Sequence, residues 1–467
     1  MNSMHAVARD ALIVLDIGKT NAKLTLVDAA GHTLAEERRA NAILPGAPYP
    51  HHDTDGIWDW MLATCRSFAG RARVSAIVPV THGATAALVD DAGLVLPVLD
   101  YEAQLPGIDY AALRPPFAHT RSPMLPAGLN LGRQLAWLQQ HHRAAFSRAR
   151  HILMYPQYWA WRLCGVAAGE ATSLGCHTDL WDPLRQDYSP LVARMGWRDR
   201  LPPLASPWAA LGVLRAEVAQ ATGLAPDCQV LCGIHDSNAS LLRYLGGNAA
   251  AAPRTVLSTG TWMIAAAFGV GLDGLREDAD MLANTNALGQ PVACMRFMGG
   301  REFAALAGEQ LAACTAQELA QLVAQGSMAL PCFADSGGPF AGRAGRVVGP
   351  APRDARERFA LATLYCVLMT DYCLDALGAR GPLTVEGSFT GNPWFGPLLA
   401  SLRPQQPVGY SDDASGTTCG GWLLRYRDAT PPGASVPQAP AAIAGLDAYR
   451  ARWRHAVQQD GARQARG

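Results

Sequence analysis

The chain opens on an apolar run, Ala11–Ile17, that ends in Asp16-Ile17-Gly18. Lys19-Thr20-Asn21 then supplies turn chemistry. Ala22–Asp28 alternates, with Lys23, Thr25 and Val27 set against Leu24, Leu26 and Asp28. A second turn at Ala30-Gly31 leads into a third strand, His32–Arg39. Two strands around a short polar turn predict a hairpin. Walker loops and dinucleotide fingerprints need a helix directly after the glycine turn. A strand follows here, and no Gly-x-Gly-x-x-Gly run is present, so both of those folds lose ground.

Strand and helix patterns alternate further on. Ile57–Phe68 predicts a helix with Ile57, Trp60, Met61, Thr64 and Phe68 on one face. Val74–Val80 reads as a short buried strand, and Gln134–His141 and the aromatic-rich Ile152–Leu163 as helices. Val230–Ile234 reads as a strand stopping at His235-Asp236. A helix follows over Ser237–Tyr244, with Ser237 a candidate cap. Gly246–Arg254, with its four alanines and Pro253, marks a change of unit. Thr255–Ile264 and Ala265–Gly271 then contain the turn Ser258–Thr261, which is strand–turn–strand again. Two halves opening with the same device fit an actin-like ATPase fold, and fit any duplicated α/β architecture equally. Phe359–Leu377 reads as a long helix, apolar on most faces and therefore buried. Leu383–Val385 is a strand leading into the Gly387 loop. Thr430–Ala442 reads as a surface linker, Gln458–Gly467 as a frayed end, and Leu44–Asp53, with three prolines, as extended.

Composition narrows the classes. A length of 467 residues allows two or three domains, and 49% hydrophobic residues can fill two cores. Net charge is zero and no basic stripe appears, so nucleic acid is not an expected partner. The apolar run Ala11–Leu15, bounded by Asp10 and Asp16, is too short for a leader. No stretch reaches the roughly 20 apolar residues of a membrane span. Eleven scattered cysteines without a Cys-x-x-Cys pair fit a reducing compartment, and the cytoplasm is the expected location. Only two lysines, Lys19 and Lys23, stand among 39 basic residues, and both lie in the first hairpin. An ammonium and a guanidinium are not interchangeable at a crowded phosphate.

Four segments could carry chemistry. In Asp16–Lys23, Gly18 permits close backbone approach. Lys19, Thr20, Asn21 and Lys23 offer donors to phosphate oxygens, and Asp16 could organise Mg²⁺ through water. A plain hairpin with a glycine turn is the competing reading. Ser258–Thr261 offers hydroxyls and the Gly260 amide to an anion, or is simply a turn. Asp236, at the carboxyl end of a strand, is placed to take a proton from a substrate hydroxyl, or to cap the next helix. Thr81-His82-Gly83 ends the strand Val74–Val80 and suits a ligand hydroxyl, or is a loop.

Taken together, five segments resemble the FGGY carbohydrate kinases in order and spacing, over roughly residues 11–425. They are Asp16-Ile17-Gly18-Lys19-Thr20-Asn21-Ala22-Lys23, Thr81-His82-Gly83, Gly233-Ile234-His235-Asp236, Ser258-Thr259-Gly260-Thr261-Trp262 and the loop from Gly387 to Asn392. Within that family the chain is most similar to bacterial L-rhamnulose kinases, through the Lys-Thr-Asn-Ala-Lys form of the first loop and the Pro48-Tyr49-Pro50-His51 stretch before Trp58. The resemblance implies two actin-like (RNase H-like) α/β domains, residues 11–248 and 255–455, with an active-site cleft between domains. It implies Asp236 as catalytic base and Asp16 as organiser of Mg²⁺. Gly18, Lys19, Thr20, Asn21 and Lys23 would hold the phosphates, joined by Gly260 and Thr261. Gly387 and Asn392 would flank the adenosine, and His82, Gly83 and His235 would line the sugar pocket beside Asp236. The implied reaction is transfer from ATP to a ketose in a monomer or homodimer: L-rhamnulose first, with L-fuculose, L-ribulose or D-xylulose as alternatives. A non-catalytic sugar-binding regulator on the same scaffold is the reading from another class. Glu386-Gly387-Ser388 departs from the family's usual three glycines, and Ala414-Ser415-Gly416-Thr417 matches its late motif loosely.

Overall fold

The structure, a computed structural model, describes residues 10–246, 252–411, 416–431 and 435–464. The first hairpin forms as the alternation predicts. Asp10–Ile17 and Asn21–Asp28 pair antiparallel with Asp16 opposite Lys23. Ala11, Ile13, Leu15 and Ile17 enter one core, while Val14, on the opposite face, meets Gly421. Burying one such aliphatic side chain contributes about 1.5–3 kcal/mol. A one-residue slip would reverse every one of them. The register is therefore pinned, and with it the placement of Asp16 and Lys23 at the open end of the hairpin.

The chain divides into two compact units. The first comprises Met1–Ala250 with Ala283–Pro291 and Ser415–Pro432; the second comprises Ala251–Leu282, Val292–Ala414 and Gly433–Gly467. Two segments of the chain's second half thus belong to the first unit. The sheet of the first unit runs Ala210–Val213, Gln229–Leu231, Arg73–Thr81, Asp10–Ile17, Asn21–Asp28, Thr33–Ala40, with Ile234–His235 also paired along Arg73–Thr81. Helices Thr54–Ala69, Tyr155–Cys164 and Ala216–Thr222 cover one face through Ile57, Phe68, Trp159 and Val218. On the other face lie Asp236–Leu242 and Gly416–Arg425. That last pair packs close: a Cβ on Gly420 would sit 2.0 Å from the Ala239 carbonyl oxygen.

The second unit repeats the design. Its sheet carries Pro291–Phe297, Met263–Phe268, Arg254–Thr259, Leu383–Gly387, Val408–Ser411 and Ser435–Pro437 in that order. In both units an antiparallel hairpin is followed, on its first strand's far side, by two strands parallel to that strand. Helix Ala355–Ala376 is capped by Asp354, which accepts from the Arg356 and Glu357 amides at 2.9 and 3.0 Å. By length and composition this helix could cross a bilayer, contrary to the sequence expectation; most of it is buried inside the second unit.

Other segments differ from expectation. Ile152–Met154 is strand, part of His151–Met154 paired with Ala86–Asp90, and the helix starts only at Tyr155, where Pro156 suits a first turn. Gly233 (φ +84°) breaks the strand expected over Val230–Ile234, because a Cβ there would meet the Pro79 oxygen at 2.4 Å. Ser237 does not cap its helix, which already begins at Asp236. The supposed linker contains the strand Ser435–Pro437, and the supposed frayed end belongs to helix Leu446–Gln464, anchored by the fully buried Trp453. Of the expected boundary Gly246–Arg254, residues 247–251 lie outside the described residues, as do Ala414 and Ser415 of the late motif.

Candidate active site

The end of the first hairpin gathers one carboxylate, one ammonium and three hydroxyl or amide donors. The Gly18 amide donates to the Asn21 oxygen at 2.8 Å and closes the turn. Asn21 Nδ2 donates to Thr20 Oγ1 at 3.0 Å, which leaves the Thr20 hydroxyl proton free for a ligand. Lys23 Nζ lies 3.6 Å from Asp16 Oδ2 across the strands. The same oxygen accepts from Thr417 Oγ1 at 2.6 Å. Thr417 comes from helix Gly416–Arg425, some 400 residues along the chain. Burial raises the Asp16 pKa, and the nearby Asp236 carboxylate adds to it, while Thr417 and Lys23 oppose the rise. Among the described residues no three metal-ligating side chains converge. A lone, partly neutralised carboxylate suits Mg²⁺, which keeps most of its waters and is held mainly by phosphate oxygens.

Lys19 leaves this group. Its ammonium pairs with Asp100, stands 3.4 Å from Glu102 Oε2, and lies 4.4 Å above the Tyr101 ring. The expected phosphate donor is thus committed to an acidic pair. Tyr101 meets His82 edge-on at 5.6 Å.

Asp236 stands at the start of its helix, its side chain 29% exposed. Its Oδ1 accepts from the Ser237 amide at 2.5 Å and the Ser237 hydroxyl at 3.2 Å, and lies 3.2 Å from His235 Nε2. Oδ2 accepts no hydrogen bond among the described residues. Burial raises the Asp236 pKa, opposed by His82 and by the Ser237 bonds. His235 is 4% exposed, and burial pulls its pKa down to about 4. Gly83 is small for a reason: a Cβ there would sit 2.8 Å from His235 Nε2. Beside it, His82 and His52 are buried with Tyr155, ring centroids 5.1–5.6 Å apart, and His82 Nε2 has no partner. His82, Gly83, His235 and Asp236 therefore do come together.

In the second unit, Gly260, Thr261 and Asn392 line one cavity of about 410–710 Å³ class size, its measured volume being 710 Å³. Phe303, Phe359 and Phe389 form an aromatic wall, Phe303 meeting each of the others at 5.3 Å. Asn392 spends its side chain on the loop, donating to Thr363 Oγ1 at 2.9 Å and accepting from the Trp394 amide at 3.0 Å. Gly387 does not line the cavity. Its role is internal, since Thr259 pairs with it and Thr259 Oγ1 accepts from the Phe389 amide at 3.0 Å. Sequence reasoning missed Tyr101, Asn238, Thr417 and the three phenylalanines. Only Thr417 had a signal, its place in the late motif; isolated aromatic residues read as core.

Two units built on one actin-like α/β plan, one with a carboxylate base beside a polar hairpin and one with an aromatic cavity beside a second hairpin, define a phosphotransferase-type architecture. The chain belongs to the FGGY family of carbohydrate kinases. Residues 118–243 match the model described as FGGY family of carbohydrate kinases, N-terminal domain, and residues 251–433 match Carbohydrate kinase FGGY, C-terminal domain. A carbohydrate kinase structure from Novosphingobium aromaticivorans is 38% identical, with a TM-score of 0.90 over 97% of this chain and 99% of that one. A xylulose kinase structure from Rhodospirillum rubrum shares the fold at 19% identity, with a TM-score of 0.77 over 96% and 98% of the chains. L-fuculokinase from Salmonella typhi is 28% identical over 269 residues, 55% of this chain. The match spans 56% of the relative, so the chain covers about half the length of the curated relatives it matches. These named relatives are L-fuculokinases, whereas the sequence motifs had pointed to the L-rhamnulose branch.

Proposed function

We propose that the chain transfers the γ-phosphoryl group of ATP to a hydroxyl of a ketose, with Asp236 as the base. The carboxylate geometry carries this reading. Oδ1 is tied down by donors while Oδ2 is left free beside His82 and Gly83. A carboxylate so held can accept a hydroxyl proton from one fixed direction. A non-catalytic sugar-binding regulator would have no use for that free oxygen.

Phosphoryl transfer passes through a loose transition state, so positioning and charge stabilisation dominate. Thr20, Asn21 and Lys23 would donate to phosphate oxygens, and the Gly260–Thr261 turn would add an amide and a hydroxyl. The Phe303–Phe389 wall would stack the adenine. Bound Mg²⁺ would neutralise phosphate charge, with Asp16 holding it through water. Lys19, already paired with Asp100 and Glu102, is left out of the phosphate set.

For the sugar, the curated matches support L-fuculose ahead of L-rhamnulose. A coupled ADP-release assay over L-fuculose, L-rhamnulose, L-ribulose and D-xylulose, read as kcat/KM ratios, tests both levels. A preference for L-fuculose of tenfold or more is expected. Turnover with no ketose, alongside an intact fold, would overturn the kinase reading.

A further inference from the structure

His235 is held from two sides by buried groups to which the proposed reaction assigns no task. Its ring Nδ1 lies 3.2 Å from Asn238 Nδ2, and its Nε2 lies 3.2 Å from Asp236 Oδ1. Asn238 is 1% exposed. An amide NH₂ only donates, so Nδ1 is the acceptor, and the neutral ring carries its proton on Nε2. That proton is donated to the Asp236 carboxylate. Turning the amide over would set its oxygen against Nδ1 and demand the Nδ1–H form. The Nε2 lone pair would then face a carboxylate oxygen, which is repulsive. Protonation of both nitrogens is opposed by burial of the ring.

The backbone of His235 is fixed separately. Its amide donates to Thr172 Oγ1 at 3.1 Å, and Thr172 Oγ1 donates to Glu170 Oε2 at 2.6 Å. A hydroxyl has one proton, so the bond to Glu170 forces Thr172 to present a lone pair to His235. Glu170 is itself anchored, accepting from the Thr172 amide at 2.9 Å and the Ser173 amide at 3.4 Å. Glu170 and Thr172 are 1% and 0% exposed.

We propose that Asn238, Thr172 and Glu170 are positioning residues for Asp236. They fix the tautomer and the backbone of His235 so that its Nε2–H steadies Oδ1 and leaves Oδ2 directed at the acceptor hydroxyl. The inference rests on Asp236 being the base, and its test separates the two. Long-range ¹H–¹⁵N spectra of the full chain should show His235 as the Nε2–H tautomer. Asn238→Asp offers only acceptors and should convert it to Nδ1–H. In that variant kcat should fall at least tenfold, while KM for ATP and for the ketose stays within twofold. Thr172→Val should lower kcat in the same way and Thr172→Ser should restore it; this pair carries the test if Asn238→Asp fails to fold. A wild-type Nδ1–H tautomer, or unchanged kcat in both Asn238→Asp and Thr172→Val, overturns the proposal. If Asp236→Asn keeps its turnover, the base assignment fails instead, and the tautomer still decides how His235 is held.

Discussion

Gly387→Ala separates two reasons for a glycine at the nucleotide side of the second unit. Family resemblance gives it a nucleotide contact; the structure gives it a structural task. Gly387 has φ +88° and ψ −158°, a conformation that costs other residues about 1–3 kcal/mol. A Cβ there would also sit 2.0 Å from the Thr259 carbonyl oxygen and 2.9 Å from its carbon. Both atoms are backbone of the paired strand Arg254–Thr259, so neither can swing away. Overpacking of this kind costs about 1–3 kcal/mol. Together the two effects remove about 2–6 kcal/mol from a domain whose stability is typically about 5–15 kcal/mol. For a unit of this size that corresponds to a fall in Tm of about 5–20 °C. The assay is calorimetric unfolding without nucleotide, with Gly391→Ala as control. Gly391 lines the same cavity, but a Cβ there meets nothing within 4 Å, and it should be neutral within about 0.5 kcal/mol. If Gly387→Ala melts within about 2 °C of the parent and only the KM for ATP rises, the steric argument is wrong.

Asp236→Asn should lower turnover by about 10²–10⁴-fold with nucleotide affinity nearly unchanged by calorimetry; near-normal turnover would remove Asp236 from the mechanism. Burial raises the Glu170 pKa to about 7, well above its unfolded value of 4.5, so the folded state binds the extra proton. Stability from this group is complete below about pH 4.5 and is lost as pH rises through 7, by about 3 kcal/mol at most. Urea unfolding at pH 5 and pH 8 should show that slope in the parent and its flattening in Glu170→Gln, and equal slopes would contradict the burial argument. Thr417→Val removes the charge-assisted donor to Asp16, worth about 1.5–3 kcal/mol, and should raise the KM for Mg·ATP, while Thr417→Ser keeps it. An unchanged KM in the valine variant would show that the bond is not needed for nucleotide.

Much of the fold was legible because it rests on short-range pattern. Ala11–Asp28 alternates with period two and ends in turn residues, so the hairpin and the end that carries Asp16 and Lys23 follow from the sequence. The second hairpin at Ser258–Thr261 follows in the same way, and so does the buried helix around Tyr365. Errors arose where a non-local partner decided the outcome. Ile152–Met154 became strand because Ala86–Asp90 lay open for pairing, and Ser435–Pro437 because Val408–Ser411 did. The helix from Leu446 was missed because Trp453 and Tyr449 find partners only in Ala329 and Ser327, more than 100 residues earlier.

The site divides along the same line. By itself the sequence determined which residues could do the chemistry, since a carboxylate, a hydroxyl and a glycine at strand ends are local facts. Tertiary structure alone decided what each is free to do. It turned Lys19 away to Asp100, brought Thr417 onto Asp16, and set Asn238 and Thr172 behind His235. The physical reason is that a buried polar atom must be satisfied by whatever lies beside it in space, and spatial neighbours far apart in the chain leave no mark on the local pattern.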